Sequence, residues 1–264
     1  MKIAVIGVGN MGQALLKSFV TSGMFDPSDV NICDCFKAKV DELCALYNVN
    51  GYSEASLAVK DCDYVLVAVK PVNFDDTVTS FKDSLKEGSI VLSIAAAVKC
   101  DRIRNLIGDR KFVRIMPNTP AQVGAGVSAL CPVGLNDEEK AFTEKLFKTC
   151  GEVVLCDEKT LDAIGCVSGT GPAYVMLFIE AMADAACALG IKRDDALKIA
   201  AGTVMGSGKL CLETGKHPGV LKDQVCSPGG TTIAGVMALE EKGLRNAVIK
   251  AVLAADEKTK EMSK

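Results

Sequence analysis

The sequence predicts an α/β fold in which a doubly wound parallel sheet is followed by an all-helical C-terminal domain. Three observations carry that expectation. Short β-branched runs alternate with helix-compatible segments through the first half, the pattern of a parallel sheet with crossover helices. Those runs are apolar almost without interruption, as strands covered on both faces must be. After Asp157 the strand signal stops, which divides the chain into residues 1–157 and 158–264.

In chain order, the expected strands are Ile3–Ile6, Val30–Cys33, Tyr64–Val69, Ile90–Ile94 and Phe112–Ile115. Helix-compatible segments such as Met11–Thr21 and Lys37–Tyr47 separate them. Val127–Cys131, helical Asp137–Cys150 and Val153–Cys156 complete the first domain. The second domain reads as helices over Leu161–Val167, Pro172–Gly190, Arg193–Thr214, Thr231–Lys242 and Gly243–Met262. Pro172 is tolerated in a first turn, and Gly190 is placed to end its helix. Within that helix Val175–Ile179 is apolar on every side, so it must be buried in a core or an interface. A domain of about 100 residues has little interior, which favours the interface.

Composition narrows the class of function. The 264 residues carry a net charge of −3, giving no electrostatic footprint for nucleic acid or an anionic membrane. Twelve cysteines are scattered through apolar stretches with no CxxC pair, and there is one histidine, His217. The expectation is reduced cysteines packed as small hydrophobes, no metal site and a cytoplasmic location. The apolar run that follows Met1-Lys2 breaks at Gly7, too soon for a signal peptide's apolar region, so none is expected. The apolar stretches Val65–Val69 and Ala173–Ile179 fall short of a membrane span, so a soluble protein is expected.

The strongest local motif is Ile3-Ala4-Val5-Ile6-Gly7-Val8-Gly9-Asn10-Met11-Gly12, a strand entering G-x-G-x-x-G and then a helix. Gly7 permits the tight turn, Gly9 admits a pyrophosphate to the backbone, and Gly12 lets the helix pack on the strand. The first domain is therefore a Rossmann-like dinucleotide fold, with the helix N-terminus presenting free N–H groups to phosphate. Asp34 follows Gly12 by 22 residues at the end of the second strand, where an acid accepts bonds from an adenosine ribose and favours NAD. Lys37 and Lys39 stand close by and suit a 2′-phosphate, so both nicotinamide cofactors stay open. Ala68-Val69-Lys70-Pro71 ends another strand at the carboxyl edge, where open α/β sheets bind ligands.

Several motifs together resemble pyrroline-5-carboxylate reductases. They are Gly9-Asn10-Met11-Gly12, Ala68-Val69-Lys70-Pro71, Met116-Pro117-Asn118-Thr119-Pro120-Ala121 and Ser168-Gly169-Thr170-Gly171-Pro172-Ala173-Tyr174. The most specific is Leu221-Lys222-Asp223-Gln224-Val225-Cys226-Ser227-Pro228-Gly229-Gly230-Thr231-Thr232. The resemblance spans essentially the whole chain. It implies NADPH- or NADH-dependent reduction of 1-pyrroline-5-carboxylate to L-proline, with a helical dimerisation domain and dimers assembled into a decamer. It implies substrate contacts from Ser227, Gly229, Gly230, Thr231 and Thr232, with Thr232 bonding the ring nitrogen as the catalytic residue. Ile6, Gly7, Gly9, Asn10, Met11 and Gly12 would then meet the cofactor, with Asp34 at the ribose. Ala68, Val69, Lys70, Pro71, Ile94, Ala95 and Ala96 would line the nicotinamide side.

Without that resemblance, Ser227–Thr232 is a turn into a helix capped by Thr231 or Thr232, and His217 before Pro218 is a loop residue. Two positions depart from the family pattern. Cys33-Asp34-Cys35-Phe36-Lys37 lacks the Asn-Arg or Ser/Thr-rich ending of NADPH-preferring members, so the family's lean towards NADPH is opposed by Asp34. Ala97 stands where glycine is common. The rival enzyme class, the β-hydroxyacid dehydrogenases, uses a lysine on the first long helix of its helical domain, and Pro172–Gly190 has none. A nicotinamide-sensing binding module would not need the Ser227–Thr232 loop.

Overall fold

The computed structural model describes residues 1–262 and divides them into two compact units, the first running from Met1 to Gly169 together with the end of the last helix from Lys258, the second from Thr170 to Glu257.

The first unit is built on β1 (Ile3–Ile6), β2 (Val30–Cys33), β3 (Asn50–Tyr52), β4 (Tyr64–Val67), β5 (Ile90–Ser93), β6 (Phe112–Met116), β7 (Gly126–Val133) and β8 (Gly151–Leu155). Its helices are α1 (Asn10–Thr21), α2 (Lys37–Tyr47), α3 (Ala55–Ala58), α4 (Phe74–Phe81), α5 (Cys100–Ile107), α6 (Asp137–Lys148) and α7 (Glu158–Ile164). The sheet order is β3-β2-β1-β4-β5-β6-β7-β8. Every residue of β1, β2, β4 and β5 is buried, because helices cover both faces. Successive side chains leave a strand on opposite faces. Ile3 and Val5 therefore join one apolar cluster with Leu15, Phe19 and Leu92, while Ala4 and Ile6 join another with Val65, Phe74 and Val91.

Three details depart from the expected sheet. It is not wholly parallel, since β6 and β7 pair antiparallel. The connection from Met116 to Gly126 is filled by one 3-10 turn over Thr119–Val123, too short for the crossover that a parallel partner needs. An additional edge strand, β3, pairs with β2, and its short, polar, exposed Asn50-Gly51-Tyr52 carries no strand signal. β4 and β5 end at Val67 and Ser93, two residues and one residue earlier than expected, which frees Ala68, Val69 and Ile94 for the loops at the carboxyl edge.

One polar cluster sits inside the first unit. Arg114 on β6 is 1% exposed, and its guanidinium donates to Glu158 Oε1 at 2.9 Å and Asp162 Oδ1 at 2.8 Å, both on α7. Lys99 also pairs with Asp162, and the Cys100 amide donates to Glu158 Oε1 at 2.7 Å. Burial pushes the Asp162 carboxyl upwards, yet the bonds and charges of Lys99 and Arg114 outweigh it and hold the group below its ordinary value. α7 is thus anchored to the sheet by charge, and a π-helical turn over Gly165–Gly169 follows it. Asn118 fixes that turn, donating from Nδ2 to the Ser168 carbonyl at 2.9 Å while its Oδ1 accepts from the Val127 amide at 2.8 Å.

None of the twelve cysteines is in a disulfide among the described residues. Burial raises the thiol of Cys62 to about 11 and that of Cys100 to about 12, so both remain uncharged at neutral pH and pack as apolar groups.

The second unit consists of α8 (Gly171–Ala188), α9 (Arg193–Thr214), α10 (Pro218–Val225), α11 (Thr231–Glu241) and most of α12 (Leu244–Met262). α8 has Pro172 in its first turn, and the chain leaves it through Gly190 at φ +90°. α10 has Pro218 in its first turn, and His217, expected in a loop, is its N-cap. Only Ala183, Ala196 and Ala200 of the described residues are buried in this unit. Met176, Leu177, Met205, Leu212 and Met237 are each more than 60% exposed. The helical run Glu158–Ala188 is long and apolar enough, by length and composition, to cross a membrane, contrary to the expectation from Ala173–Ile179 alone; 6% of its most apolar window is buried.

Candidate functional site

β1 ends at Ile6, and the Gly7 amide continues the pairing to the Cys33 carbonyl at 2.8 Å. Gly7 then turns at φ +95°, where a side chain is strained and a Cβ would lie 2.8 Å from the Ala68 carbonyl oxygen. A Cβ on Gly12 would sit 2.1 Å from the Gly7 carbonyl oxygen, so α1 can begin directly beneath the turn only with glycine there. Gly9 is different. A Cβ on it meets no protein atom within 4 Å, so the space it leaves is open to a ligand. Gly9 is also the N-cap of α1, and no side chain caps the helix. The first-turn N–H groups of a twelve-residue helix are therefore left to accept an anion.

A cleft of about 710 Å³ opens over this turn, lined by Gly7, Gly9, Asn10, Asp34, Lys70 and their neighbours. The Asp34 carboxylate is fixed within it. Oδ2 accepts from the Val8 amide at 2.7 Å, and Oδ1 accepts from the Phe36 amide at 3.0 Å and from Cys35 Sγ at 3.4 Å. Lys39 lines the same cleft and faces Glu42 at 3.7 Å, whereas Lys37 is not part of its wall.

A second cleft of about 550 Å³ is walled by Gly9, Asn10, Met11, Ala68, Val69, Lys70, Pro71, Ile94 and Ala96. Of the residues expected at the cofactor, Ile6 and Ala95 are each 3% exposed and join the apolar cluster beneath the sheet, and Gly12 packs against Gly7. These three shape the walls from behind. Ala97 next to this wall holds φ +62°, the left-handed conformation that favours glycine, so the departure from glycine is borne as local strain.

Gln13, Phe36, Met116 and Pro117 are among the cleft residues to which the sequence motifs assign no role. Gln13 donates to the Val8 carbonyl at 2.6 Å and lines the first cleft, and Phe36 lines it with 72% of its surface exposed. Met116 and Pro117 line the second. A lone aromatic just past a strand end, and a Met-Pro pair at another strand end, were the available signals.

In the second unit the Gly230 amide donates to the Ser227 carbonyl at 3.0 Å, with Gly229 at φ +69°. A Cβ on Gly230 would lie 2.4 Å from Ser227 Oγ. α11 starts at Thr231 with Gly230 as N-cap and no side-chain cap, which corrects the expectation that Thr231 or Thr232 caps the helix. Both threonines already lie in the first turn, too far along for that role. The hydroxyls of Ser227, Thr231 and Thr232 make no hydrogen bond among the described residues. His217 is the residue that caps, its Nδ1 accepting from the Gly219 amide at 3.1 Å at the start of α10. No cluster of three or more metal-ligating side chains occurs among the described residues.

Comparison with known proteins gives matches over both halves. Residues 158–262 match the family described as pyrroline-5-carboxylate reductase dimerisation, and residues 2–97 match the NADP oxidoreductase family described as coenzyme F420-dependent. The chain is 44% identical over 265 aligned positions to a pyrroline-5-carboxylate reductase of Escherichia coli, covering 100% of this chain and 98% of that protein. Among solved structures, a pyrroline-5-carboxylate reductase of Coxiella burnetii superposes with a TM-score of 0.94 at 32% identity, covering 100% of this chain and 98% of its own. The Plasmodium falciparum pyrroline carboxylate reductase with NADP bound superposes at 0.87 with 29% identity, covering the same shares.

Proposed function

The chain belongs to the pyrroline-5-carboxylate reductase family, and on that premise we propose that it reduces 1-pyrroline-5-carboxylate to L-proline with NADPH or NADH. The observation that carries the reading is the pair of features found in one chain. An uncapped helix start above an open Gly9 suits a dinucleotide pyrophosphate, and the Ser227–Thr232 turn presents three unengaged hydroxyls for a small polar substrate.

The nicotinamide, when bound, supplies the hydride. The protein's own residues supply the rest. The amides at the start of α1 hold the pyrophosphate, and Asp34 meets the adenosine ribose. Ala68, Val69, Lys70, Pro71, Ile94 and Ala96 form the wall on the nicotinamide side, backed by Ala95. Ser227 and the amides around Gly229 and Gly230 hold the substrate carboxylate, with Thr231 beside them. Thr232 bonds the ring nitrogen.

The substrate enters as the protonated imine, so its nitrogen already carries the proton and no strong base is required. Addition of hydride to the C=N carbon returns an electron pair to nitrogen, and the Thr232 hydroxyl donates to that pair as it forms. The amine product then takes a proton from water. Orientation of the two reactants provides much of the barrier reduction.

The helical unit is the oligomerisation element. With three buried residues and apolar side chains exposed along α8, α9 and α11, it lacks the interior of an independent domain. A partner copy covering those faces also accounts for the apolar run Glu158–Ala188 without a membrane. We further propose a division of labour between residues 1–157, which bind the dinucleotide, and 158–264, which dimerise and bind substrate. Assembly of dimers into a decamer and a cytoplasmic location complete the proposal. Loss of reduced-nicotinamide absorbance on mixing enzyme, nucleotide and pyrroline-5-carboxylate tests it. Folded, nucleotide-binding protein that leaves the absorbance unchanged overturns it.

A further inference from the structure

We propose that this chain selects NADH over NADPH and that Asp34 makes the selection. The inference rests on the dinucleotide reading of the cleft over β1 and α1.

Asp34 stands where β2 ends, in the wall of the cleft that Gly7 and Gly9 also line. Its carboxylate is not a swinging surface acid. One oxygen is tied to the Val8 amide at 2.7 Å and the other to the Phe36 amide at 3.0 Å. Val8 belongs to the glycine turn itself, so the negative charge is fixed to the same backbone that approaches the pyrophosphate. A carboxylate oxygen has two acceptor positions; Oδ1 fills both with the Phe36 amide and the Cys35 thiol, while Oδ2, bonded to the Val8 amide alone, keeps one for a ribose hydroxyl. A 2′-phosphate offers no such donor. It brings a charge of about −1.5 to −2 against a carboxylate that cannot rotate away.

Nothing in the wall offsets that repulsion. No arginine lines the cleft, although an arginine is the side chain that grips a 2′-phosphate through two parallel bonds. Lys37, the nearest lysine in sequence, is outside the wall, and Lys39 within it is paired with Glu42 at 3.7 Å in the same wall. The remaining lysine of the wall, Lys70, follows β4 rather than β2. The cleft thus holds two carboxylates and two ammonium groups, with the one fully anchored charge being negative.

The test is calorimetric titration of the full-length protein with NADH, NADPH, NAD⁺ and NADP⁺, alongside kcat/KM for both reduced nucleotides. The expected result is binding of the non-phosphorylated pair about tenfold tighter or more, the factor that about 1.4 kcal/mol of repulsion gives. Asp34→Asn removes the charge, keeps an acceptor oxygen for the Val8 amide and puts an NH2 group where Oδ1 accepted from the Phe36 amide. It should raise the NADPH/NADH ratio by about tenfold, with a smaller loss of melting temperature than Asp34→Ser. Asp34→Ser, which removes the acceptor as well, should move the ratio the same way even if it lowers stability. Equal or tighter NADPH binding by the wild type, or a ratio unmoved in both variants, overturns the assignment. Selective NADH binding without turnover of pyrroline-5-carboxylate leaves it standing while removing the proposed substrate, so the two failures are distinguishable.

Discussion

Replacing Arg114 by methionine keeps an unbranched side chain of similar reach and deletes the charge at the centre of the α7 anchor. The wild-type guanidinium is 1% exposed and makes two charge-assisted bonds, to Glu158 and Asp162. Removing one partner of a buried pair costs about 3–5 kcal/mol, because the other charge is left desolvated. Glu158 and Asp162 keep 33% and 26% of their side-chain surface, so water relieves part of that penalty and the low end, about 3 kcal/mol, is expected. At about 2–4 °C per kcal/mol, the melting temperature should fall by about 6–12 °C. Circular dichroism during heating and guanidinium titration measures both quantities. Asp162→Asn should cost less in the Arg114→Met background than in the wild type, since the two residues share one interaction.

The pH profile provides an independent check on the same cluster. Asp162 has its folded pKa held below the ordinary carboxylate value of 3.8, so its contribution is present above that value and is lost as pH falls through the folded pKa. Acid destabilisation below about pH 4 should therefore be shallower in Asp162→Asn. Arg114→Met with unchanged stability and an unchanged acid limb would show that the cluster is incidental to the fold.

Ala97→Gly should stabilise by about 0.5–1 kcal/mol, because release of the left-handed alanine exceeds the entropy that glycine adds to the unfolded chain, and a lower denaturant midpoint would contradict this. Thr232→Ala should lower kcat as well as kcat/KM by about tenfold to several hundredfold, on the scale of a lost transition-state donor, while Thr232→Ser retains more activity. If Thr232→Ala lowered the melting temperature with little kinetic effect, the hydroxyl would be structural. Val175→Asp places a charge on a half-exposed apolar position of α8 and should weaken association in light scattering, whereas an unaltered oligomer would remove Val175 from the interface.

The β1-turn-α1 element was legible because three glycines at fixed spacing answer to three separate steric demands, each visible as a Cβ distance or an open space. The direction of β7 was not. Val127–Cys131 is as apolar as a parallel strand, and only the length of the 117–125 connection distinguishes the two pairings. β3 escaped notice because an exposed edge strand of three residues needs no apolar alternation. Arg114 carries no local signal of its role, since its partners lie 44 and 48 residues further along. α10 was hidden by His217-Pro218-Gly219, which reads as a turn although His217 is a cap and Pro218 a first-turn residue. At the site, the cleft residues with sequence motifs were recognisable in advance. Phe36 and Gln13 carry no motif, and their place follows from where the backbone leaves β2 and enters α1.

The central claim is the reaction itself. Its most direct measurement is chiral chromatography of the product formed from racemic pyrroline-5-carboxylate, with reduced nicotinamide consumption followed in the same vessel. The account predicts L-proline appearing in a one-to-one ratio with nucleotide oxidised. Nucleotide oxidation without proline, or binding of nucleotide with no oxidation, would contradict it.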